Sequence, residues 1–99
     1  MLYFTATVVA NEDVGPNAFV LRLAGCEALV GSKPGQFVML RGPWGTDPLL
    51  ARAFSILAVL SDGGAEFLIK AVGKGTALLR QTRPGTALRV LGPLGNSFP

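Results

Sequence analysis

The sequence predicts an all-β fold, a six-stranded antiparallel Greek-key barrel with one short helix after the fifth strand. Three observations favour this fold: apolar and polar residues alternate with a period of two, Gly- and Pro-rich turns separate the short segments, and one segment alone has helical spacing. With 99 residues, 49% hydrophobic and 15% charged, the chain can bury one core. Closing the sheet also removes edges that a small open sheet would expose.

Alternation predicts the first three strands at residues 3–10, 18–23 and 36–41. Turn-forming residues 11–16 are expected to end the first strand. In the second strand the period of two places Phe19 in the core and points Arg22 outward. The loop at residues 42–48 holds Trp44, which we expect to cover a barrel end rather than to bind a ligand.

The fourth and fifth strands are predicted at residues 52–60 and 65–72, joined by the hairpin turn Ser61-Asp-Gly-Gly, whose glycines supply positive φ. The helix is predicted from Thr76 to about Arg83, ended by Pro84-Gly85. The sixth strand follows at residues 87–91.

The composition excludes several kinds of chemistry. The chain has no histidine, which rules out Ser-His-Asp and Cys-His catalysis, and the single Cys26 can form neither an internal disulfide nor an iron–sulfur cluster by itself. We expect Cys26 to be a small hydrophobic residue that is buried or lies in a loop. Whatever chemistry occurs must come mostly from a cofactor.

The charge and the N-terminus indicate no nucleic-acid or membrane partner. The net charge of +3 comes from basic residues spread along the chain, whereas nucleic-acid binding usually needs a dense basic patch. The first ten residues lack the basic region of a signal peptide, and no apolar run approaches the roughly 20 residues of a membrane span. A cytoplasmic location is therefore expected.

The segment Arg52-Ala53-Phe54-Ser55 carries the first sign of a ligand site. An arginine can bind a phosphate bidentately, an aromatic ring can stack on a flat heterocycle, and a hydroxyl can pair with a ring nitrogen or carbonyl. Alternation puts Arg52 and Phe54 on one face and Ser55 on the other, so one ligand must reach across the strand. On these residues alone, an edge arginine beside a core phenylalanine explains the pattern equally well.

The second sign is Gly73-Lys-Gly-Thr, which follows a strand and opens the helix. The N–H groups of a helix start and its positive dipole end favour an anion, and glycines let a phosphate approach closely. The segment matches neither a Walker loop nor the G-x-G-x-x-G dinucleotide spacing. A plain strand-to-helix turn is the alternative explanation.

Together these segments resemble the FAD-binding barrel of the ferredoxin–NAD(P) reductase superfamily. The resemblance extends over essentially the whole chain and is strongest to the electron-transfer subunits of type B dihydroorotate dehydrogenase. It is carried by Pro34-Gly-Gln-Phe-Val, Asp47-Pro-Leu-Leu-Ala-Arg-Ala-Phe-Ser-Ile, Val72-Gly-Lys-Gly-Thr-Ala-Leu-Leu and Val90-Leu-Gly-Pro-Leu-Gly-Asn-Ser-Phe.

The resemblance implies a set of FAD-binding residues and no catalytic residue or metal ligand. Arg52 would bind the pyrophosphate, Phe54 would contact the isoalloxazine or ribityl, and Ser55 would hydrogen-bond the flavin. The other implied contacts are main-chain groups or phosphate ligands: Ala53, Leu68, Ile69, Lys70, Gly75 and Thr76. The chain departs from the family at Ala51 and Ala53, where arginine and proline are frequent.

The resemblance further implies an electron relay in pyrimidine biosynthesis. FAD would exchange a hydride with NAD(H) and pass electrons through a [2Fe–2S] cluster to a catalytic dehydrogenase subunit carrying FMN, in a hetero-oligomer. The nicotinamide and iron–sulfur domains would lie downstream, so residues 1–99 are expected to be the FAD-binding domain only, inactive alone.

Two other classes remain open. The first is the FAD domain of another reductase-like oxidoreductase, such as a hydrogenase, sulfide dehydrogenase or transhydrogenase subunit. The second is a non-enzymatic small barrel that binds RNA or protein.

Overall fold

The fold was examined in a computed structural model, which describes residues 2–33, 36–42, 53–71 and 73–95. These residues form six strands and one α-helix: β1 (Leu2–Gly15), β2 (Ala18–Ala24), β3 (Phe37–Arg41), β4 (Ala53–Val59), β5 (Ala65–Lys70), α1 (Gly73–Arg80) and β6 (Ala87–Leu94). A 3₁₀ turn, Glu27–Leu29, lies between β2 and β3.

The strands close into an antiparallel barrel in the order β1-β2-β5-β4-β3-β6. The connections from β2 to β3 and from β5 to β6 join strands that are not neighbours, which is the Greek-key pattern. The predicted fold class, including the short helix after the fifth strand, is confirmed.

The core lies inside the barrel and follows the predicted alternation. Phe19 and Leu21 of β2 and Phe67 of β5 are fully buried, whereas Arg22 points outward and pairs with Glu66 of the neighbouring strand. Cys26 is buried, as expected for a small hydrophobic residue. The Ser61–Gly64 hairpin is also confirmed, although among its glycines only Gly63 has a positive φ, of 92°.

The predicted end of the first strand was wrong. Residues 11–15 continue β1 and pair with β2, from Asn11 opposite Leu21 to Gly15 opposite Ala18, so the reversal falls at Pro16 and Asn17. Cross-strand pairing outweighs the turn preference of Asn, Asp and Gly here, because strand formation depends strongly on tertiary context. Register shifts at two points in β1 accommodate the irregular residues.

The predicted helix bounds were also wrong, since α1 begins at Gly73 and ends at Arg80. Gly73 adopts a φ of 78°, which lets the chain turn from β5 directly into the helix. The helix ends four residues before Pro84. Its last carbonyls accept hydrogen bonds from the Thr82 hydroxyl and from the Asn11 side chain of β1, and local sequence cannot reveal the contact with Asn11.

Smaller differences affect the other bounds. The sixth strand continues to Leu94, because its last residues pair with β3, where Phe37 lies opposite Leu94. The fifth strand ends at Lys70 rather than residue 72, and β2 extends to Ala24. Trp44 lies outside the described residues, so its predicted role is not tested.

Candidate functional site

The predicted site residues of the fourth and fifth strands lie on two neighbouring strands that separate from each other. The register between β4 and β5 runs from Val59 opposite Ala65 to Ile56 opposite Phe67. Beyond that pair, the described residues 53–55 of β4 pair only with β3, and residues 68–70 of β5 pair only with β2. We call this separation of the two segments the β4–β5 gap.

The gap brings together two predicted groups that lie 13 residues apart in the chain, from Ser55 to Leu68. Each strand has main-chain N–H and C=O groups along the edge that faces away from its paired neighbour. Main-chain N–H and C=O groups at an unpaired edge need hydrogen-bond partners, from water or from a ligand. The gap therefore suits a flat ligand that both donates and accepts hydrogen bonds.

The side chains around the gap divide between the inside and the outside of the barrel. Phe54 and Ile69 point inward, whereas Ser55, Leu68 and Lys70 are exposed. The predicted separation of Phe54 and Ser55 onto opposite faces is thus confirmed. Because their main chain borders the gap, a ligand lying there could approach both.

Phe54 belongs to the core but is its most exposed aromatic member. Its side chain retains 7% exposure, whereas Phe19 and Phe67 have none. Val38 lies directly opposite Phe54 on β3 and is fully buried. Phe54 accordingly lies at the margin of the core, next to the gap.

The start of α1 follows the end of β5 within three residues. Ala71 donates its N–H to the carbonyl of Asn17, 2.8 Å away, which holds the end of β5 against the β1–β2 turn. Lys70 and the positive end of the helix therefore lie at the same end of the gap. This arrangement favours an anionic group there.

Thr76 is buried in the first turn of α1 and holds that turn closed. Its hydroxyl lies 3.3 Å from the carbonyl oxygen of Gly73 and donates to it, and the side chain is only 1% exposed. Gly75 lies in the same turn. Both predicted phosphate residues are therefore placed at the helix start.

A supporting residue that the sequence reasoning missed is Asn11. Its amide nitrogen donates to the carbonyls of Leu79 at 2.8 Å and Arg80 at 3.0 Å, which are at the C-terminal end of α1. The same nitrogen lies 3.1 Å from the hydroxyl of Thr82. Asn11 thus ties the helix to β1, and no local pattern predicts a contact across 68 residues.

The remaining predicted residues are only partly covered by the structure. Arg52 lies outside the described residues, and Ala53 is described by its main chain alone. In the described part of the chain, no helix is long and apolar enough to cross a membrane. Likewise, no group of three or more His, Cys, Asp or Glu side chains there could hold a metal ion.

Comparison with known families identifies the class of protein. The sequence model described as an oxidoreductase FAD-binding domain matches residues 5–98. The chain belongs to this family of FAD-binding domains.

Two relatives show which kind of subunit the chain resembles. The chain is 39% identical over 94 residues to the electron transfer subunit of dihydroorotate dehydrogenase B (NAD(+)) from Geobacillus thermodenitrificans, covering 94% of this chain and 37% of the relative. It is 38% identical over 96 residues to the same subunit from Desulforamulus reducens, covering 96% and 37%. The chain therefore spans little more than a third of the length of these relatives.

A solved structure shows the same fold. An NADH-dependent reduced ferredoxin–NADP oxidoreductase superimposes with a TM-score of 0.83 at 25% identity, covering 95% of this chain and 34% of the other. The reductase similarity inferred from the sequence motifs is thereby confirmed.

Proposed function

We propose that the β4–β5 gap holds the flavin of FAD and that the start of α1 holds its pyrophosphate. The observation that carries this proposal is the loss of register beyond Ile56 and Phe67, which leaves residues 53–55 and 68–70 unpaired with each other. Both segments consist of residues singled out from the sequence. Family membership supplies the identity of the cofactor.

The main chain of residues 53–55 and 68–70 would hydrogen-bond the flavin and ribityl groups. Ser55 would add its hydroxyl from the outer face, and Phe54 would contact the flat ring from the margin of the core. Because Leu68 and Lys70 point their side chains outward, their contribution is mainly through the backbone.

The pyrophosphate would lie at the helix start, with Arg52 as its charged partner. Arg52 directly precedes Ala53, the first residue of β4. Thr76 would act by closing the first turn around Gly75, since its own hydroxyl binds the carbonyl of Gly73. The helix N–H groups then face the anion in a fixed arrangement.

The energies are consistent with a distributed site. An arginine–phosphate contact contributes about 1.5–3 kcal/mol, and ring stacking adds about 0.5–1.5 kcal/mol. Micromolar affinity requires about 8 kcal/mol. The main-chain contacts and apolar burial must therefore provide much of the binding energy.

When bound, FAD supplies hydride and single-electron chemistry, which the protein side chains cannot. We propose that the chain is the FAD-binding part of a cytoplasmic electron-transfer subunit, working between NAD(H) and an iron–sulfur cluster. Its partner would be an FMN-carrying dehydrogenase subunit that oxidises dihydroorotate. The 39% identity to the electron transfer subunit of a dihydroorotate dehydrogenase favours this partner.

A reductase that exchanges electrons with ferredoxin is the second candidate. It is supported by the structural similarity to the ferredoxin–NADP oxidoreductase. Purifying the protein together with its natural partner would separate the two candidates, because only one of them predicts a dihydroorotate-oxidising subunit.

Titration with FAD, followed by flavin fluorescence, tests the site. We expect saturable binding by the wild type and an affinity about 10- to 150-fold lower for Arg52→Ala, the equivalent of about 1.5–3 kcal/mol. Arg83→Ala is the matched control, since Arg83 is exposed and lies between α1 and β6. A folded wild type that leaves flavin fluorescence unchanged at tens of micromolar FAD would contradict the proposal.

A further inference from the structure

Two arginines lie directly opposite each other on the outer face of the barrel. Arg41 ends β3 and its register partner on β6 is Arg89. Side chains directly opposite in an antiparallel pair have Cβ atoms about 4.5–5.5 Å apart, and like charges at that position are destabilising. The stability of the sheet therefore does not explain why two arginines occupy these positions.

The two arginines border a groove of about 440 Å³. Tyr3 and Thr5 of β1 line its other side, and Thr5 is the register partner of Arg89. The guanidinium carbon of Arg89 lies 5.3 Å from the centre of the Tyr3 ring, which holds this side chain over β1. Three neighbouring strands thus present polar groups in one row.

Nothing acidic lines the groove among the described residues. The ion pairs that the structure describes involve other arginines: Arg22 with Glu66, and Arg80 with Asp13. Arg41 and Arg89 are both exposed. Their two positive charges are therefore available to a ligand.

We propose that Arg41 and Arg89, on β3 and β6, form a binding site for a phosphate dianion other than the pyrophosphate site at the start of α1. Two guanidinium groups match the charge of a phosphate monoester, whereas a single carboxylate would leave one charge unpaired. The Thr5 hydroxyl can donate a further hydrogen bond. The groove exceeds the size of a phosphate group, which leaves room for an attached organic part.

Phosphate titration at constant ionic strength, followed by the NMR signals of the arginine Nε–H groups, tests this site. It is done on the FAD-saturated chain, in which FAD occupies the pyrophosphate site, and again on FAD-free Arg52→Ala, in which that site is weakened. We expect saturable shifts of two arginine signals. Arg41→Gln and Arg89→Gln should each weaken phosphate binding at least tenfold, and Arg83→Gln should change it less than twofold.

Acetate and ribose 5-phosphate test which chemical group the two arginines bind. Acetate should bind at least tenfold more weakly than phosphate. Tighter binding of ribose 5-phosphate than of inorganic phosphate would identify a phosphate ester as the source, and equal binding would identify free phosphate.

A second measurement separates binding from a structural role. In chloride buffer, Arg41→Gln should melt at the same temperature as the wild type or higher, because it relieves repulsion without removing the contact between Arg89 and Tyr3. Phosphate should raise the melting temperature of the wild type more than that of Arg41→Gln or Arg89→Gln.

Three results would overturn the proposal. The first is no saturable response at tens of millimolar phosphate, and the second is an equal loss in Arg83→Gln. The third is phosphate binding that appears only in Asp47→Asn, because the two arginines would then form ion pairs with Asp47 in the wild type. Asp47 lies outside the described residues.

Discussion

Ile56 of β4 and Phe67 of β5 form the last register pair between these strands before the described residues on either side separate. A Leu57 bulge next to this pair shifts the register, so that Ala58 faces Glu66. Beyond this pair, residues 53–55 pair with β3 and residues 68–70 pair with β2, so the two segments do not pair with each other. This separation is the feature that makes a continuous barrel wall into a candidate flavin site.

If the contacts of β5 are made by its main chain, the Leu68 side chain should be dispensable. Leu68 is 49% exposed, and Leu68→Thr retains a residue that favours strands. We expect FAD affinity within about twofold of the wild type and a stability change within about 0.5 kcal/mol. Fluorescence titration checks the affinity, and a tenfold loss would show that the side chain itself binds.

Phe54 should serve both the core and the cofactor. Phe54→Leu removes buried ring atoms and should lower the free energy of unfolding of the FAD-free chain by about 1–2 kcal/mol. It should also weaken FAD binding by about 2- to 12-fold, as expected from the loss of about 0.5–1.5 kcal/mol of stacking.

Phe19→Leu is the control for Phe54, because Phe19 is fully buried on β2. It should lose similar stability in urea unfolding but keep its FAD affinity within about twofold. Equal losses of affinity in the two variants would mean that the effect of Phe54 is exerted through the core.

Asn11 should stabilise the fold by binding the end of α1. Asn11→Ala leaves the carbonyls of Leu79 and Arg80 without this donor and should cost about 1–3 kcal/mol. Asn11→Asp should cost at least as much at neutral pH, because a carboxylate can only accept hydrogen bonds and lies at the negative end of the helix.

Urea unfolding measures these losses. Asn17→Ala is the matched control, since Asn17 is exposed and its known contact uses the main-chain carbonyl. We expect its stability to change by less than about 0.5 kcal/mol. An Asn11→Ala variant as stable as this control would show that the helix end does not depend on Asn11.

Cys26 should make stability fall in alkaline solution. Burial raises the pKa of its thiol from 9.0 to about 11, with a smaller contribution from Glu27. Between these values the unfolded chain loses the thiol proton and the folded chain keeps it, so the free energy of unfolding decreases as pH rises from about 9 to 11. The slope from this group is at most about 1.4 kcal/mol per pH unit.

The difference in unfolding free energy between wild type and Cys26→Ala isolates the contribution of the thiol. That difference should be constant below pH 9 and should shrink above it, because the alanine variant lacks the ionisation. A difference that stays constant up to pH 11 would exclude a buried, protonated thiol.

The pattern of alternating residues was sufficient to predict the strands of the barrel, the buried Phe19 and the outward Arg22. These features depend on the burial of individual side chains, which a period of two reports directly. The same pattern also predicted that Phe54 and Ser55 lie on opposite faces. The site residues themselves came from matching motifs, and the structure leaves Arg52 to be tested by mutation.

The sequence by itself determined the fold class, the family and the kind of ligand, because these follow from local periodicity and from short motifs in order. Only the tertiary structure decided where β1 ends, where α1 stops and that β4 separates from β5 beyond Ile56 and Phe67. It also decided that Arg41 faces Arg89. The end of β1 depends on its hairpin pairing with β2, and the other features depend on contacts between segments far apart in the chain, which leave no local signal.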